Sequence, residues 1–568
     1  MFGCATPRVI VGYEQCNATQ TELEMKAFPF DTQDVENQPP EFAARDLWAD
    51  DMALREAVQR ENASGFAVHL QEYGALAGSE LLQLSFDAHR DRPRLRTHDR
   101  FGHRLDVVDF HPHYHAVMAA AIEHGVAGLS WSQARPGSHV ARAALSYLHG
   151  QVEPGSSCPL TMTHAAVPVL RHEPALREWA DKAIAPHYDP RDVPMGAKAG
   201  VTLGMGMTEK QGGSDVRANT TRATPITGGN EYTLVGHKWF FSAPMSDAFL
   251  VLAQAPGGLS CFLMPRWRPD GTKNAFRLMR LKDKLGDWSN ASSEVEFDDA
   301  WAYRVGEEGR GVATIIEMVM LTRLDCMLGS SALMRMALAQ AIHHARHRRA
   351  FGKRLVEHAL MQNVLADLAI EAEASLALSL RLAGAVDRAP GDAREAAFAR
   401  IATAIGKFFV CKRAPTFVNE AQECLGGNGY VEESLLPRLY RQAPLNSIWE
   451  GSGNIQCLDV LRALSREPET LAAFMSELEA ARDLHPSFDS ELSALRMQLQ
   501  AGQVAEASAR LLVERMALTL QASVLLRAGS PVAEAFCRSR LWREHGLVFG
   551  TLPAELNFAA LVERALPG

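Results

Sequence analysis

The segment Arg438 to Gln456, RLYRQAPLNSIWEGSGNIQ, sets one carboxylate, Glu450, between an aromatic residue and a turn of Gly451, Ser452 and Gly453. A carboxylate that acts as a base on carbon at neutral pH needs shielding from water and a backbone that lets a cofactor come close. Trp449 can give the first and the Gly/Ser turn the second. The same residues also suit a solvated surface turn, and the segment alone does not separate the two.

Other stretches carry chemistry of their own. GMGMTEKQGGSDVRANTTRA places Thr208 and Ser214, short hydroxyl donors, beside glycines that let backbone approach a planar ring; alone it also reads as a hairpin turn. Phe240-Phe241-Ser242 offers aromatic faces and a hydroxyl, although adjacent phenylalanines in a strand are more often core. Arg348-Arg349-Ala350-Phe351-Gly352 brings guanidinium groups that suit phosphate, or a solvated basic helix end with His343, His344 and His347. The spacing of His111, His113 and His115 suits a strand face, but no carboxylate or cysteine partner stands close in sequence. No metal site is expected.

The elements that must position these residues follow from periodicity. Residues 1–40 are polar, end in Asn37-Gln38-Pro39-Pro40 and read as a tail. Residues 41–200 are helical in pattern, as in DLWADDMALREAV and VMAAAIEHGVAGL. From 201 to 304 the period shortens in EYTLVGHKWFFS, AFLVLAQ, LSCFLMP and SSEVEFDD, which predicts a compact β domain. Residues 305–464 return to helix, where Leu360, Val364 and Leu368 with Met361, Leu365 and Ala369 draw a stripe that demands partner helices. Residues 465–568 form a further helical module with a stripe at Val513, Ala517, Leu520 and Val524. The fold class expected is α+β, mostly α.

Composition sets the outer limits. The 568 residues exceed one core, the 47% apolar content is ordinary, and a net charge of −9 gives no global pull toward nucleic acid or acidic membrane. Nine cysteines without a CxxC pair fit a reducing, cytoplasmic setting, and neither a signal peptide nor an apolar run near 18 residues is evident.

The order helix, β, helix, with GMGMTEKQGGSDVRANTTRA, GHKWFFSAPMSDA, ECLGGNGYVEESLLPRLYR and NSIWEGSGNIQCLDVLR in sequence, resembles the acyl-CoA dehydrogenase family of flavoproteins and, within it, the AidB-like branch linked to the response to DNA alkylation. The resemblance covers residues 37 to 568. It implies FAD as cofactor, bound by Met207, Thr208, Gly213, Ser214, Phe240, Phe241, Ser242, Arg348, Phe351, Gly427, Trp449, Gly451, Ser452 and Asn454. In it the middle β domain is a barrel or sandwich, and Glu450, on a strand-turn, is the general base that removes an α-proton from an acyl thioester. Thr322, ahead of Arg323, occupies the place of an alternative base. Arg348 would reach the cofactor of a neighbouring subunit, which implies a homotetramer. Glu423 and Ala359 replace family glutamines, Trp288 replaces an arginine and Phe240 a tryptophan; the first three put flavin occupancy in question.

The branch also implies double-stranded DNA as a partner of the C-terminal module. Residues 461 to 568 hold eleven Arg, no Lys and thirteen Asp plus Glu, about −2. Arg538, Arg540 and Arg543 around Trp542 form a candidate phosphate strip, or belong to ion pairs between helices. Two functions are therefore expected side by side: acyl-CoA dehydrogenation, or a DNA-binding protective flavoprotein with little turnover. A related acyl-CoA or nitroalkane oxidase shares the fold; an aspartate base would favour the nitroalkane enzyme, and Glu450 does not.

Overall fold

The computed structural model describes residues 34–566 apart from 227, 501 and 503. The chain divides into two compact units at Gln38/Pro39; in the first, the described residues 34–38 form no helix or strand. Most of the expected tail, with Cys4 and Cys16, lies outside the described residues. Everything below concerns the second unit.

Its N-terminal part contains α1 (Met52–Arg60), α2 (Ala67–Leu76), α3 (Leu82–Arg90), α4 (Pro112–Glu123), α5 (Leu129–Ser132), α6 (Ser138–Gly150), α7 (Pro154–Arg171) and α8 (Arg177–Ala183). The pattern of this region predicts helix throughout, but an antiparallel hairpin, β1 (Arg94–His98) and β2 (Arg104–Asp109), interrupts it. Its LRTH and RLDVVD runs alternate, but each is too short to stand out against the helical period on either side. The histidine cluster is also placed differently from expectation. His111 is the N-cap of α4, its ring accepting from the His113 amide, while Pro112 occupies the first turn without needing a donor.

The β domain comprises β3 (Leu203–Gly206), β4 (Arg222–Pro225), β5 (Glu231–Ser242), β6 (Ala248–Ala255), β7 (Gly258–Pro265), β8 (Phe276–Leu281) and β9 (Ser292–Val305). Successive pairings β6–β4–β5–β9–β7 return to β6, so five strands close a ring, with β3 added to β6 and β8 to β9. Phe241, Phe249, Phe262, Phe276 and Phe297 fill its interior. Phe241 is wholly buried against Phe249, their ring centroids 4.3 Å apart. Period two forces this: with Phe240 pointing out, Phe241 must point in.

The bundle is built on α9 (Gly311–His347), α10 (Ala359–Arg388) and α11 (Ala393–Cys424), with a two-residue-per-strand hairpin, β10 (Arg349–Ala350) and β11 (Lys353–Arg354), before α10. Asp392 starts α11 by accepting from the Arg394 and Glu395 amides. Leu365, Leu368 and Ala369 of the expected stripe are buried, whereas Leu360 at the start of α10 is 83% exposed. Then follow α12 (Leu436–Gln442), α13 (Gly453–Arg466), α14 (Pro468–Glu479), α15 (Pro486–Gln500), α16 (Ala509–Arg527), α17 (Ala533–Phe536) and α18 (Phe558–Ala565). The α16 stripe Val513, Ala517, Leu520 and Val524 is buried, and one continuous core joins the N-terminal helices, the bundle and the C-terminal helices. No helix among the described residues is long and apolar enough to cross a membrane.

Candidate active site

Glu450 lies between the short 3-10 turn Leu445–Ser447 and the first residue of α13, in a turn and not on a strand as the resemblance implied. Its φ is +56°, a left-handed backbone that glutamate rarely adopts and that costs of order 1–3 kcal/mol unless its surroundings impose it. Gly451 follows at φ +90°, where a Cβ would come 2.7 Å from the Gln456 amide nitrogen.

Side-chain donors cap the carbonyls of this turn. The buried ammonium of Lys407, on α11, donates to the carbonyls of Trp449 at 2.6 Å and Gly451 at 2.5 Å. Gln456 donates to the carbonyls of Glu450 at 3.0 Å and Gly451 at 2.9 Å. Arg323 Nε donates to the Glu450 carbonyl at 3.3 Å, while its Nη1 holds Asp459 of α13 at 2.6 Å. Three elements thus fix the backbone and leave the carboxylate to face the site.

The carboxylate itself is half-buried. Burial raises its pKa above the usual carboxylate value, against the hydrogen bond from Thr322 and the charges of Lys407 and Arg323, which lower it. Thr322 Oγ1 stands 2.7 Å from Glu450 Oε2 and 2.9 Å from the Val319 carbonyl. One hydroxyl proton serves only one acceptor at a time. It goes to Glu450 when that group is ionised, and to Val319 when Glu450 is protonated and donates in turn to Thr322. Thr322 is therefore hydrogen-bonded to the carboxylate expected to act as the base.

Trp449 packs on the apolar cluster that also contains Met205, Met207, Leu203 and Ala243, and its indole nitrogen donates to Asn446 at 3.0 Å. Cys158 of α7, a buried thiol pushed up to about 12 by burial, feels both the Ser242 hydroxyl at the end of β5 and the Glu450 charge, which sets the Glu450 turn near that end of the barrel.

The loop after β3 is anchored firmly. Thr208 accepts from the Trp239 amide at 2.9 Å, and a Cβ on Gly213 would lie 2.3 Å from Thr208 Oγ1. Glu209 and Lys238 form a wholly buried ion pair at 2.8 Å. Burial alone would raise Glu209, but Lys238 and the bonds from Thr220 and Thr221 hold it well below the usual carboxylate range. Ser214 and Phe240 remain exposed, Phe240 by 55% with the Lys282 ammonium 4.6 Å from its ring centre.

A flat aromatic cofactor with a diphosphate fits these groups: an exposed ring at Phe240, a hydroxyl at Ser242 that meets the Ser292 hydroxyl at 3.4 Å, and open backbone at Gly213–Ser214. Ser452 begins α13 without bonding its amides, and Asn454 accepts from Arg510 of α16 at 3.3 Å. Phe241 is corrected: its side chain belongs to the barrel interior, packed on Phe249, and is not exposed to stack on a cofactor. Phe351 and Gly427 face solvent, Phe351 by 97%. Trp288 is packed between the guanidinium groups of Arg92 and Arg441, 3.7 and 4.2 Å from its ring centre, and stacks on His89. Glu423 meets Asn419 at the surface, at 3.2 Å.

Sequence reasoning missed Lys407. Its signal was a lone cation inside the apolar run AIGKFFVC, where a charge persists only with fixed partners. The DNA strip also needs correction. Arg540 is buried and pairs with Asp367 at 2.6 Å and Glu371 at 3.2 Å, while Arg538 pairs with Glu544 at 2.7 Å. Those two arginines serve ion pairs within the chain. Among the described residues no group of three or more His, Cys, Asp or Glu could hold a metal ion, and the seven described cysteines are buried and unpaired.

A small closed barrel set between helical layers, with a desolvated glutamate held at its edge, defines a class, and the chain belongs to the acyl-CoA dehydrogenase family. Residues 204–300 match the acyl-CoA dehydrogenase middle domain and 309–465 its C-terminal domain. Residues 37–190 match the N-terminal domain of the adaptive response protein AidB. The chain is 48% identical to the AidB protein of Escherichia coli (strain K12) over 90% of its own length and 94% of that protein. It is 31% identical to acyl-CoA dehydrogenase family member 11 of Caenorhabditis elegans, over 76% and 72%. The solved structure of Caenorhabditis elegans ACDH-11 in complex with C11-CoA superposes with a TM-score of 0.83 at 27% identity, covering 90% of this chain and 93% of that one. The branch is therefore the AidB-like one, and FAD is the cofactor that goes with the family.

Proposed function

We propose that this chain is an FAD-dependent acyl-CoA dehydrogenase in which Glu450 removes the α-proton of a saturated acyl thioester. The observation that carries this reading is the Glu450 carboxylate, raised in pKa by burial and held at φ +56° by donors to its own and both neighbouring carbonyls. A base so fixed spends no reorganisation on reaching the substrate carbon, and its raised pKa suits proton abstraction near neutrality. Thr322 supports the ionised form before transfer and accepts from the protonated form after it.

Met207, Thr208, Gly213, Ser214, Phe240 and Ser242, with the turn Gly451 to Asn454, hold the cofactor. Bound FAD supplies the acceptor for the hydride that leaves the β-carbon. Trp449 and its apolar neighbours exclude water from the carboxylate. The C11-CoA bound by the Caenorhabditis elegans relative supports a medium-length acyl chain as substrate. Anaerobic addition of saturated acyl-CoA thioesters to the holoprotein should bleach the flavin absorbance, and Glu450→Gln should retain FAD yet abolish bleaching. Absence of bleaching at every chain length would remove this reading.

Arg348, Phe351 and Gly427 serve the FAD of a neighbouring subunit in a homotetramer. The exposed apolar side chains of Phe351, Leu360 and Tyr430 support such a contact. Sedimentation equilibrium tests it, and a monomer that holds FAD would refute it. The match to AidB supports a cytoplasmic role in the response to DNA alkylation, with DNA bound by the tetramer; a duplex affinity that does not fall with salt would count against it.

A further inference from the structure

A cavity of about 410 Å³ lies where the last turn of α1, the C-terminal half of α10, the start of α11, and α14 and α16 meet. None of its lining residues belongs to the site around Glu450. Five guanidinium groups and three carboxylates line it, so two positive charges are left over. The pairings show which they are. Arg381 bonds both Glu395 and Glu477 bidentately, Arg388 bonds Glu61 and Glu395, and Arg527 bonds Glu477.

Arg60 and Arg394 remain. The Arg60 Nε and Nη2 atoms are buried without a hydrogen-bond partner, and its nearest carboxylate oxygen, on Glu61, is 3.7 Å away. The Arg394 guanidinium has no partner among the described residues. A guanidinium held half-buried without acceptors is costly, and an anion that accepts from it offsets that cost. Burial raises the Glu61 carboxyl against the charges of Arg381, Arg388 and Arg60, and it lowers Arg60 against those of Glu61, Glu373 and Glu56, so desolvation outweighs the carboxylates around Arg60.

We infer that this cavity is a binding site for a small phosphate-bearing molecule, held by Arg60 and Arg394 through charge-assisted, fork-shaped hydrogen bonds. Phosphate is the class that fits best: two guanidinium groups match its two negative charges, and its oxygens accept from both forks at once. The Ser476 hydroxyl, in the same wall, adds a neutral donor. Five helix segments bound the space, which suits a compact phosphomonoester better than a polymer backbone.

Titration calorimetry of the FAD-loaded full chain with inorganic phosphate, and separately with glucose 6-phosphate, at constant ionic strength tests the site. Saturable 1:1 binding per chain is expected, weakened at least tenfold in the exposed variant Arg394→Gln and further in Arg60→Gln/Arg394→Gln. Flavin absorbance and acyl-CoA bleaching should not change in Arg394→Gln. If both probes fail to saturate, or if Arg394→Gln and the double variant, folded by circular dichroism, bind as tightly as the parent, the inference is overturned. Tighter binding of glucose 6-phosphate identifies an ester as the ligand, and equal binding identifies free phosphate.

Discussion

At the scale of single residues, the chemistry proposed for Glu450 turns on how a glutamate is kept ionised where burial favours the neutral acid. Thr322 is the adjustable part. Its hydrogen bond lowers the Glu450 pKa against burial, so Thr322→Val should leave burial less opposed and push that carboxyl higher still. Because the base works only when ionised, activity is lost on the acid side of its pKa. The acidic limb of kcat/KM should therefore move to higher pH, with the plateau above it much less affected. A hydrogen bond to a charged group is worth about 1.5–3 kcal/mol, which sets the upper size of the shift. A pH profile unchanged in Thr322→Val would show that the hydroxyl prefers the Val319 carbonyl throughout.

At the scale of elements, the turn from Trp449 to Gly451 is held by a helix it does not belong to. Lys407→Met removes two hydrogen bonds to its carbonyls; Gly451 keeps Gln456, but among the described residues the Trp449 carbonyl keeps no other donor. Stability should fall by about 1–3 kcal/mol in urea unfolding, and turnover should fall by more than FAD affinity does, since the turn relaxes away from φ +56°. The flavin loop is tied to β5 in the same manner. Glu209→Gln removes the charge that holds the buried Lys238 in its protonated form, so the amine either stays charged without a counter-ion or gives up its proton, at a cost of about 3–5 kcal/mol. Glu209→Leu/Lys238→Met, which removes both charges, should recover much of that loss, as thermal unfolding will measure. The pH sign follows: Glu209 is depressed in the fold, so its stabilisation is present at neutral pH and fades as pH falls below the ordinary carboxylate range.

At the scale of the whole molecule, the C-terminal helices are part of the core. Glu477 of α14 pairs with Arg381 of α10, Arg540 pairs with Asp367 and Glu371 of α10, and Arg335 of α9 donates to the Ala565 carbonyl at 2.6 Å. A chain cut after residue 465 should lose solubility and FAD together, because it exposes the α10 and α11 faces that α16 covers and unpairs buried carboxylates. Recovery of a soluble, FAD-loaded truncation would contradict this. Exposed point variants such as Arg543→Gln are the sounder probe of DNA binding.

What the sequence determined alone was whatever is written in local period and local chemistry. The change from helical to alternating pattern near residue 201 marked the β domain, and the α16 stripe marked its buried face. The four motifs, in order, carried the resemblance to the acyl-CoA dehydrogenase family, and that resemblance implied FAD and the role of Glu450. The hairpin at residues 94–109 stayed hidden because its strands are short and flanked by helices whose period dominates any wider window. Only the tertiary structure decided what depends on partners distant in the chain. Thr322 lies 128 residues from Glu450 and Lys407 lies 42 from Trp449, so neither role has a local signature. Arg540 is the same case in reverse: local composition offered it to DNA, and Asp367, 173 residues away, had already claimed its charge. A side chain's charge and shape are local properties, but its burial and its partners are set by which surfaces the fold brings together.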